Sequence, residues 1–368
     1  MKISNIIVAA TLALSIVLTG CSTNNSNDQK VHEFSSTRVD TNSLKNTVII
    51  PTMDSDIVSG KNMVYCSTFQ LAWNELKNGI IKEDIKVQSS PSIVESLNKG
   101  VGSKEDISDK DYVAMVGYAK DNIISQINST LKDKFKDDAP FVEVINLQPT
   151  DIFAYSFLYK NLRFKKEFES LKTPIQFKTA NGVSEVKGFG VEKYSDKSEH
   201  EEFGRQVDIF DYEGSNNFIV RISSESDNDE IILAKVRPES SLQKTVESVS
   251  SKISSSSAGK LSKNDTLQIP KFDFNISHSY SELLGKGFRN AGFEDYFILD
   301  ARQDIMFLLD EKGAVLKSKS KIHSRIKGVE ESRSFIFDEP FLMYLKEKDG
   351  KHPYLALWVE NPELMLRN

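Results

Sequence analysis

Cysteine is almost absent from this chain: 368 residues hold two, Cys21 and Cys66. With Cys21 assigned to lipid, as its flanking residues indicate, Cys66 has no intramolecular partner and no disulfide framework exists. A folded body must then be held by core packing and sheet pairing, which a chain of this length with 39% hydrophobic residues can supply. A basic excess is also missing. Lys and Arg total 47 against 53 Asp and Glu, a net charge of −6, so the electrostatic footprint of a nucleic-acid binder is absent.

Histidine is scarce, and His32, His200, His278, His323 and His352 form no i, i+4 pair beside acidic ligands. No cysteine pair completes a zinc set, so neither a metal nor a cofactor is expected. There is no Gly-x-Ser-x-Gly elbow and no phosphate-cradling loop; Gly188-Phe189-Gly190 alone is too weak to count. Cys66 lies in an apolar run, where a cysteine fills core more often than it attacks a substrate. The acidic clusters Glu199 to Glu202 and Glu225 to Glu230 do not complete an EF-hand and read as solvated loops. Enzymatic chemistry is not expected.

One long apolar run is present, from Ile6 to Leu18, preceded by Lys2 and followed by Thr19-Gly20-Cys21. That order is a secretory leader, too short for a comfortable membrane span. The ending Leu18-Thr19-Gly20-Cys21 resembles the lipobox of bacterial lipoproteins, which implies thioether lipidation of Cys21 and cleavage before it. Ser22 to Lys30 hold no apolar side chain, so no burial offsets the entropy of ordering them. The expected organisation is a leader over residues 1–20, a flexible tether over 21–44 and one domain over 45–366. The body would be exported and anchored to the cell membrane or outer membrane, facing outside or the periplasm.

Within the body, Thr47 to Pro51 is a short β-branched run, and Asn62 to Leu76 passes from strand-like Met63-Val64-Tyr65 into a helical pattern. Between Asp109 and Lys136, apolar Ile123, Ile127, Leu131 and Phe135 recur every four positions, an amphipathic helix. From Phe141 onward the texture turns to strands: Phe141 to Leu147, Phe153 to Tyr159, Val207 to Phe210 and Phe218 to Ile222. Asn181-Gly182, between Ile175-Gln176-Phe177 and Val186, predicts a hairpin. Ser254 to Ser257 with Ala258-Gly259 reads as a surface connection, because strand-like sequence resumes at Leu267-Gln268-Ile269. Helices early and strands late predict an α+β fold.

Several segments, in order, resemble the serpin family. Ile269-Pro270-Lys271-Phe272 followed by Ser279-Tyr280-Ser281-Glu282-Leu283-Leu284 resembles a serpin strand and the start of the helix after it. Leu309-Asp310-Glu311-Lys312-Gly313 resembles the hinge of the reactive-centre loop. Phe337-Asp338-Glu339-Pro340-Phe341-Leu342 and Val359-Glu360-Asn361-Pro362 resemble the two closing strands. Upstream, Phe164-Lys165-Lys166-Glu167-Phe168 and Thr173-Pro174-Ile175-Gln176-Phe177 hold the family's order and spacing, while Asn62-Met63-Val64-Tyr65-Cys66 matches weakly. Phe164 stands where a tryptophan is usual, Gln303 where a histidine is common, and Leu357 where a glycine precedes the last valine.

The resemblance implies N-terminal helices packed on a large central mixed sheet, a second smaller sheet and an exposed reactive-centre-like loop, in a monomer. It also implies a mechanism, in which a protease cleaves the loop and the loop's first half inserts into the main sheet. Burial must then suit alternate residues. From hinge residues Glu311 and Gly313, one parity holds Ala314, Leu316, Ser318, Ser320 and Ile322, all uncharged; the other holds Val315, Lys317, Lys319, Lys321 and His323. A slip of one residue would bury three lysines, at several kcal/mol each. Leu316 exceeds the alanine the family prefers there, and overpacking costs about 1–3 kcal/mol.

The family's offset from the hinge places the scissile bond at Lys327-Gly328, with Arg325 as the alternative in a register shifted by two. The implied partner is an extracellular serine or cysteine protease that cleaves after Lys or Arg. A non-inhibitory serpin fold serving as a binding or surface-interaction module is the second reading, and a solute-binding lipoprotein the third.

Overall fold

The computed structural model describes residues 4–12, 37–192, 197–226, 228–313 and 332–367. Two sheets packed face to face form its centre. The main sheet has six strands in the order β2 (Val39–Asp40), β16 (Phe272–Ser279), β17 (Tyr296–Leu309), β1 (Ser4–Leu12), β6 (Ile152–Leu158) and β5 (Tyr112–Tyr118). The second runs β14 (Gly259–Lys260), β11 (Val207–Phe210), β12 (Phe218–Ser223), β13 (Asp229–Lys235), β19 (Phe341–Glu347), β20 (Leu355–Val359), β4 (Asn62–Cys66) and β3 (Thr47–Ile50). A four-stranded sheet, β18 (Ser334–Ile336), β15 (Thr266–Pro270), β10 (Gly188–Val191) and β7 (Glu169–Ser170), and the hairpin β8 (Ile175–Thr179) with β9 (Gly182–Val186) complete an α+β fold.

Alternation along the strands explains the layers. Ile276, Ile305 and Phe307 of the main sheet meet Val64, Phe218, Leu233 and Leu357 of the second in the largest buried core. On the main sheet's other face, Val113, Phe153, Tyr155 and Phe157 receive helix α3 (Ile123–Phe135) through Ile123, Ile127, Leu131 and Phe135, the four residues that its period singled out. Helix α5 (Leu242–Ser255) covers the outer face of the second sheet with Leu242, Val246 and Val249. Helices α1 (Thr68–Glu75) and α2 (Ser92–Lys99) close the end of the main sheet around Trp73 and Leu97, and α4 (Lys197–Gln206) leads into β11.

Three local expectations are corrected. Phe141 to Leu147 is not a strand: the side chain of Asn128 on α3 accepts from the N–H of Val142 and donates to its carbonyl, both at 2.8 Å. Those backbone groups are satisfied without a ladder, while Phe141 and Ile145 stand 79% exposed. The stretch just ahead of α3 holds strand β5, antiparallel to β6. Ser254 and Ser255 belong to the last turn of α5 and not to the connection after it.

Candidate functional site

Strands β6 and β17 run parallel, yet they are not neighbours. The position between them is taken by β1, which pairs with both: Ile6 to Leu12 lie opposite Ile152 to Leu158, and Ser4 to Leu12 opposite Tyr296 to Ile305. The first residues of the chain thus share a sheet with strands that lie far from them in sequence. The β17 register carries one extra residue, Leu299, half exposed, where Ile6 pairs with Ile298 and Ile7 with Asp300. Above this bulge β17 alternates cleanly, with Ala301, Gln303, Ile305, Phe307 and Leu309 all buried.

The predicted loop begins where β17 ends. Asp310 closes a turn by accepting from the N–H of Lys312 on its carboxylate and from that of Gly313 on its carbonyl. Glu311 is gripped twice: its carbonyl accepts from the N–H of Phe168 at 2.8 Å, and its carboxylate pairs with Lys271. Lys271, one of the motif residues, is itself only 11% exposed at its side chain. Gly313 has φ +49°, and a Cβ there would stand 2.3 Å from the backbone nitrogen of Phe164, so both conformation and space demand glycine.

Phe164 packs edge-on to Phe168 at 5.0 Å, and Phe168 stacks on Phe203 at 5.3 Å, with Phe189 beside them. This aromatic cluster lies beyond the C-terminal end of β6, and Gly313 rests against it just past the end of β17. Loop residues Ala314, Leu316, Ser318, Ser320, Arg325, Lys327 and Gly328, and the lipidation residue Cys21, lie outside the described residues. The chain resumes at Ser332 and enters β18, parallel to β15.

Halfway along β17 a buried polar hub ties it to the second sheet. The carboxamide of Gln303, fully buried, accepts from the Tyr280 hydroxyl at 2.7 Å and donates to the Cys66 carbonyl and the Thr68 hydroxyl, both at 2.9 Å. Tyr280 lies edge-on to His278, whose Nδ1 is 2.7 Å from the Thr41 hydroxyl. Burial lowers the His278 pKa, an effect that Glu282 and Asp40 oppose. Cys66 is completely buried and its thiol is pushed up by that burial, with the Thr68 hydroxyl 3.5 Å away partly offsetting it. It is a core residue here, without access to a substrate.

Sequence reasoning missed a second buried cluster, beside the C-terminal end of β6. The Lys160 ammonium, 8% exposed at its side chain, meets Asp111 at 2.7 Å, Asp229 at 3.0 Å and Glu347. Tyr354 donates to Asp229 at 3.0 Å. No local pattern could have revealed it, because its members come from five separate stretches of the chain.

Elsewhere, a polar groove of about 720 Å³ runs beside α5, lined by Asn217, Arg237, Thr245, Ser248 and Lys252 among others. Among the described residues, no group of His, Cys, Asp and Glu is arranged to hold a metal, and no helix is long and apolar enough to cross a membrane.

No family model matches the sequence, and no curated protein does. Among solved structures, Serpin48 of the insect Tenebrio molitor is similar, with 12% identity, 82% of this chain and 92% of that one covered, and a TM-score of 0.45. A thyroxine-binding globulin in complex with thyroxine has 13% identity, 82% and 93% coverage and a TM-score of 0.47. The human thyroxine-binding globulin has 12% identity, 82% and 92% coverage and a TM-score of 0.47. In these comparisons the chain is similar to serpins.

Proposed function

We propose that this chain is a strand-inserting protease inhibitor, anchored to a bacterial envelope membrane through lipid on Cys21. The observation that carries the reading is the strand position between β6 and β17, which is filled by a segment from the other end of the chain and lies beside β17, the strand that leads into the loop. A segment leaving Leu309 can double back into that position without crossing any other strand of the sheet. The parity of residues 314–323 supplies the matching pattern, uncharged residues inward and lysines outward.

In this mechanism the protease nucleophile attacks the Lys327 carbonyl carbon, the bond to the Gly328 nitrogen breaks, and that nitrogen leaves as an amine carrying the transferred proton. The acyl-enzyme ester holds the protease on the new C-terminus. Residues 314–322 then enter the sheet and carry the protease with them. Its oxyanion site is pulled out of register, so water no longer completes hydrolysis.

Incubating residues 21–368 with trypsin should give an SDS-stable complex and, once the loop is cut, a higher melting temperature. Lys327→Ala should abolish the complex. Clean cleavage with neither complex nor thermal gain would refute inhibition. That outcome would favour the second reading, a non-inhibitory binding module, for which the groove beside α5 is the available concave surface. Metabolic labelling with palmitate, lost in Cys21→Ser, tests the anchor.

A further inference from the structure

We infer that residues 38–43 form a proton-released clasp: at neutral pH they strap the outer edge of the main sheet, and in acid they let go. Release lengthens the link from the body to Cys21, a consequence that rests on the anchor proposed above; the clasp itself does not depend on it.

Three attachments hold the strap. Val39 and Asp40 pair in parallel with Ile276 and Ser277, so β2 covers the outer edge of β16. The Arg38 guanidinium reaches over β16, donating to the Ser277 hydroxyl at 2.8 Å and to the Asp304 carboxylate of β17. The Thr41 hydroxyl sits 2.7 Å from Nδ1 of His278, and Asp40 caps the short turn Thr41–Ser43 by accepting from the N–H of Asn42. Beyond the strap the chain is fixed independently. Leu44 packs on the largest core, and Glu363 accepts from the N–H groups of Lys45 and Asn46 and from the Thr47 hydroxyl. Opening therefore stops there and frees residues 38–43, about 20 Å of extended chain.

His278 is the group in the clasp that changes charge between neutral and mildly acidic pH. A neutral ring can accept from Thr41, whereas a protonated ring has two donors and no acceptor. Facing it are the carboxylates of Asp40 on the strap and Glu282 on the turn after β16, the edge-on ring of Tyr280 and, across the ladder to β17, the uncharged Gln303. Asp304, next along β17, is taken by Arg38. Burial outweighs the two carboxylates and lowers the His278 pKa. Opening returns the ring to water, so the open state takes up the proton more readily than the closed one. The clasp is then at full strength above the ordinary histidine pKa and weakens as pH falls through it.

Hydrogen exchange on the full chain carrying Cys21→Ser tests this. Corrected for the intrinsic effect of pH, protection of residues 39–43 should fall about threefold or more between pH 7.5 and pH 5.0, while protection of β19 holds. The midpoint of that fall should coincide with the titration midpoint of His278 followed by imidazole NMR. His278→Asn, which keeps an acceptor for Thr41 and cannot be protonated, should flatten the profile. Protection that does not change with pH, a fall shared by β19, a fall that persists in His278→Asn, or midpoints more than about one pH unit apart would overturn the clasp. If His278→Asn loosens the strap at both pH values, the two midpoints in the unsubstituted sequence decide. Palmitate labelling is scored separately: its failure would remove the anchor, while exchange would still decide the clasp.

Discussion

Replacing Lys160 with methionine should destabilise the protein strongly at neutral pH and much less in acid. The ammonium is surrounded by Asp111, Asp229 and Glu347, whose side chains are 21%, 3% and 10% exposed. Methionine has similar length but no charge, so two carboxylates would stay buried without a counterion. Breaking a buried pair in this way costs about 3–5 kcal/mol. At roughly 2.1 cal/mol/K of unfolding entropy per residue over some 320 ordered residues, that corresponds to a fall in Tm of about 4–7 °C.

The pH dependence supplies the stricter test. Burial pushes the Glu347 carboxyl upward, but Lys160, with the Ser108 N–H and hydroxyl, outweighs it and holds the pKa below its ordinary value. In the wild type this group therefore adds stability above its unfolded pKa and loses it as pH falls through the folded one. In Lys160→Met burial acts on Glu347 without the ammonium, so its folded pKa rises and less stability is lost on acidification. The gap between the two proteins should shrink from pH 7.5 to pH 4.5, measured by urea denaturation at each pH. A loss under about 1 kcal/mol at pH 7.5, or a gap that does not change with pH, would refute the reasoning.

Other substitutions test the hinge and the hub. Gln303→Leu leaves the Tyr280 hydroxyl, the Thr68 hydroxyl and the Cys66 carbonyl without their partner, and should cost about 2–4 kcal/mol in urea unfolding. Gly313→Ala places a Cβ against the Phe164 backbone at positive φ, so about 1–3 kcal/mol and faster limited proteolysis of the loop are expected. Cys66 should stay unreactive toward a thiol reagent in the native protein and titrate fully in denaturant; rapid native labelling would contradict its complete burial.

Much of the architecture was legible where physics is local. The four-residue spacing of Ile123, Ile127, Leu131 and Phe135 marked α3, and Asn181-Gly182 marked the β8–β9 hairpin because only a few residues accept that turn. Legibility failed where a side chain replaced a ladder. Phe141 to Leu147 has strand composition, but Asn128 satisfies Val142, and Val142, Val144 and Leu147 pack against α3 instead of a neighbouring strand. It failed again where function draws on distant segments. Lys160 and Glu347 meet across 187 positions, and Gln303 reaches Cys66 across 237, so no window of sequence contains either set. The segment 4–12 illustrates a third limit: the same β-branched, uncharged residues make a good leader and a good strand, and composition does not distinguish the two.

The single extra residue at Leu299 is absorbed by β17 alone. Above it, from Ala301 to Leu309, the strand keeps strict two-residue phase over a stretch as long as residues 314–322; below it, the phase inverts. The neighbouring strand stays in step across it: Ile6 lies opposite buried Ile298 and Val8 opposite buried Ala301. The bulge therefore works as a private correction: it changes which residues β17 buries without changing the face that its neighbour presents.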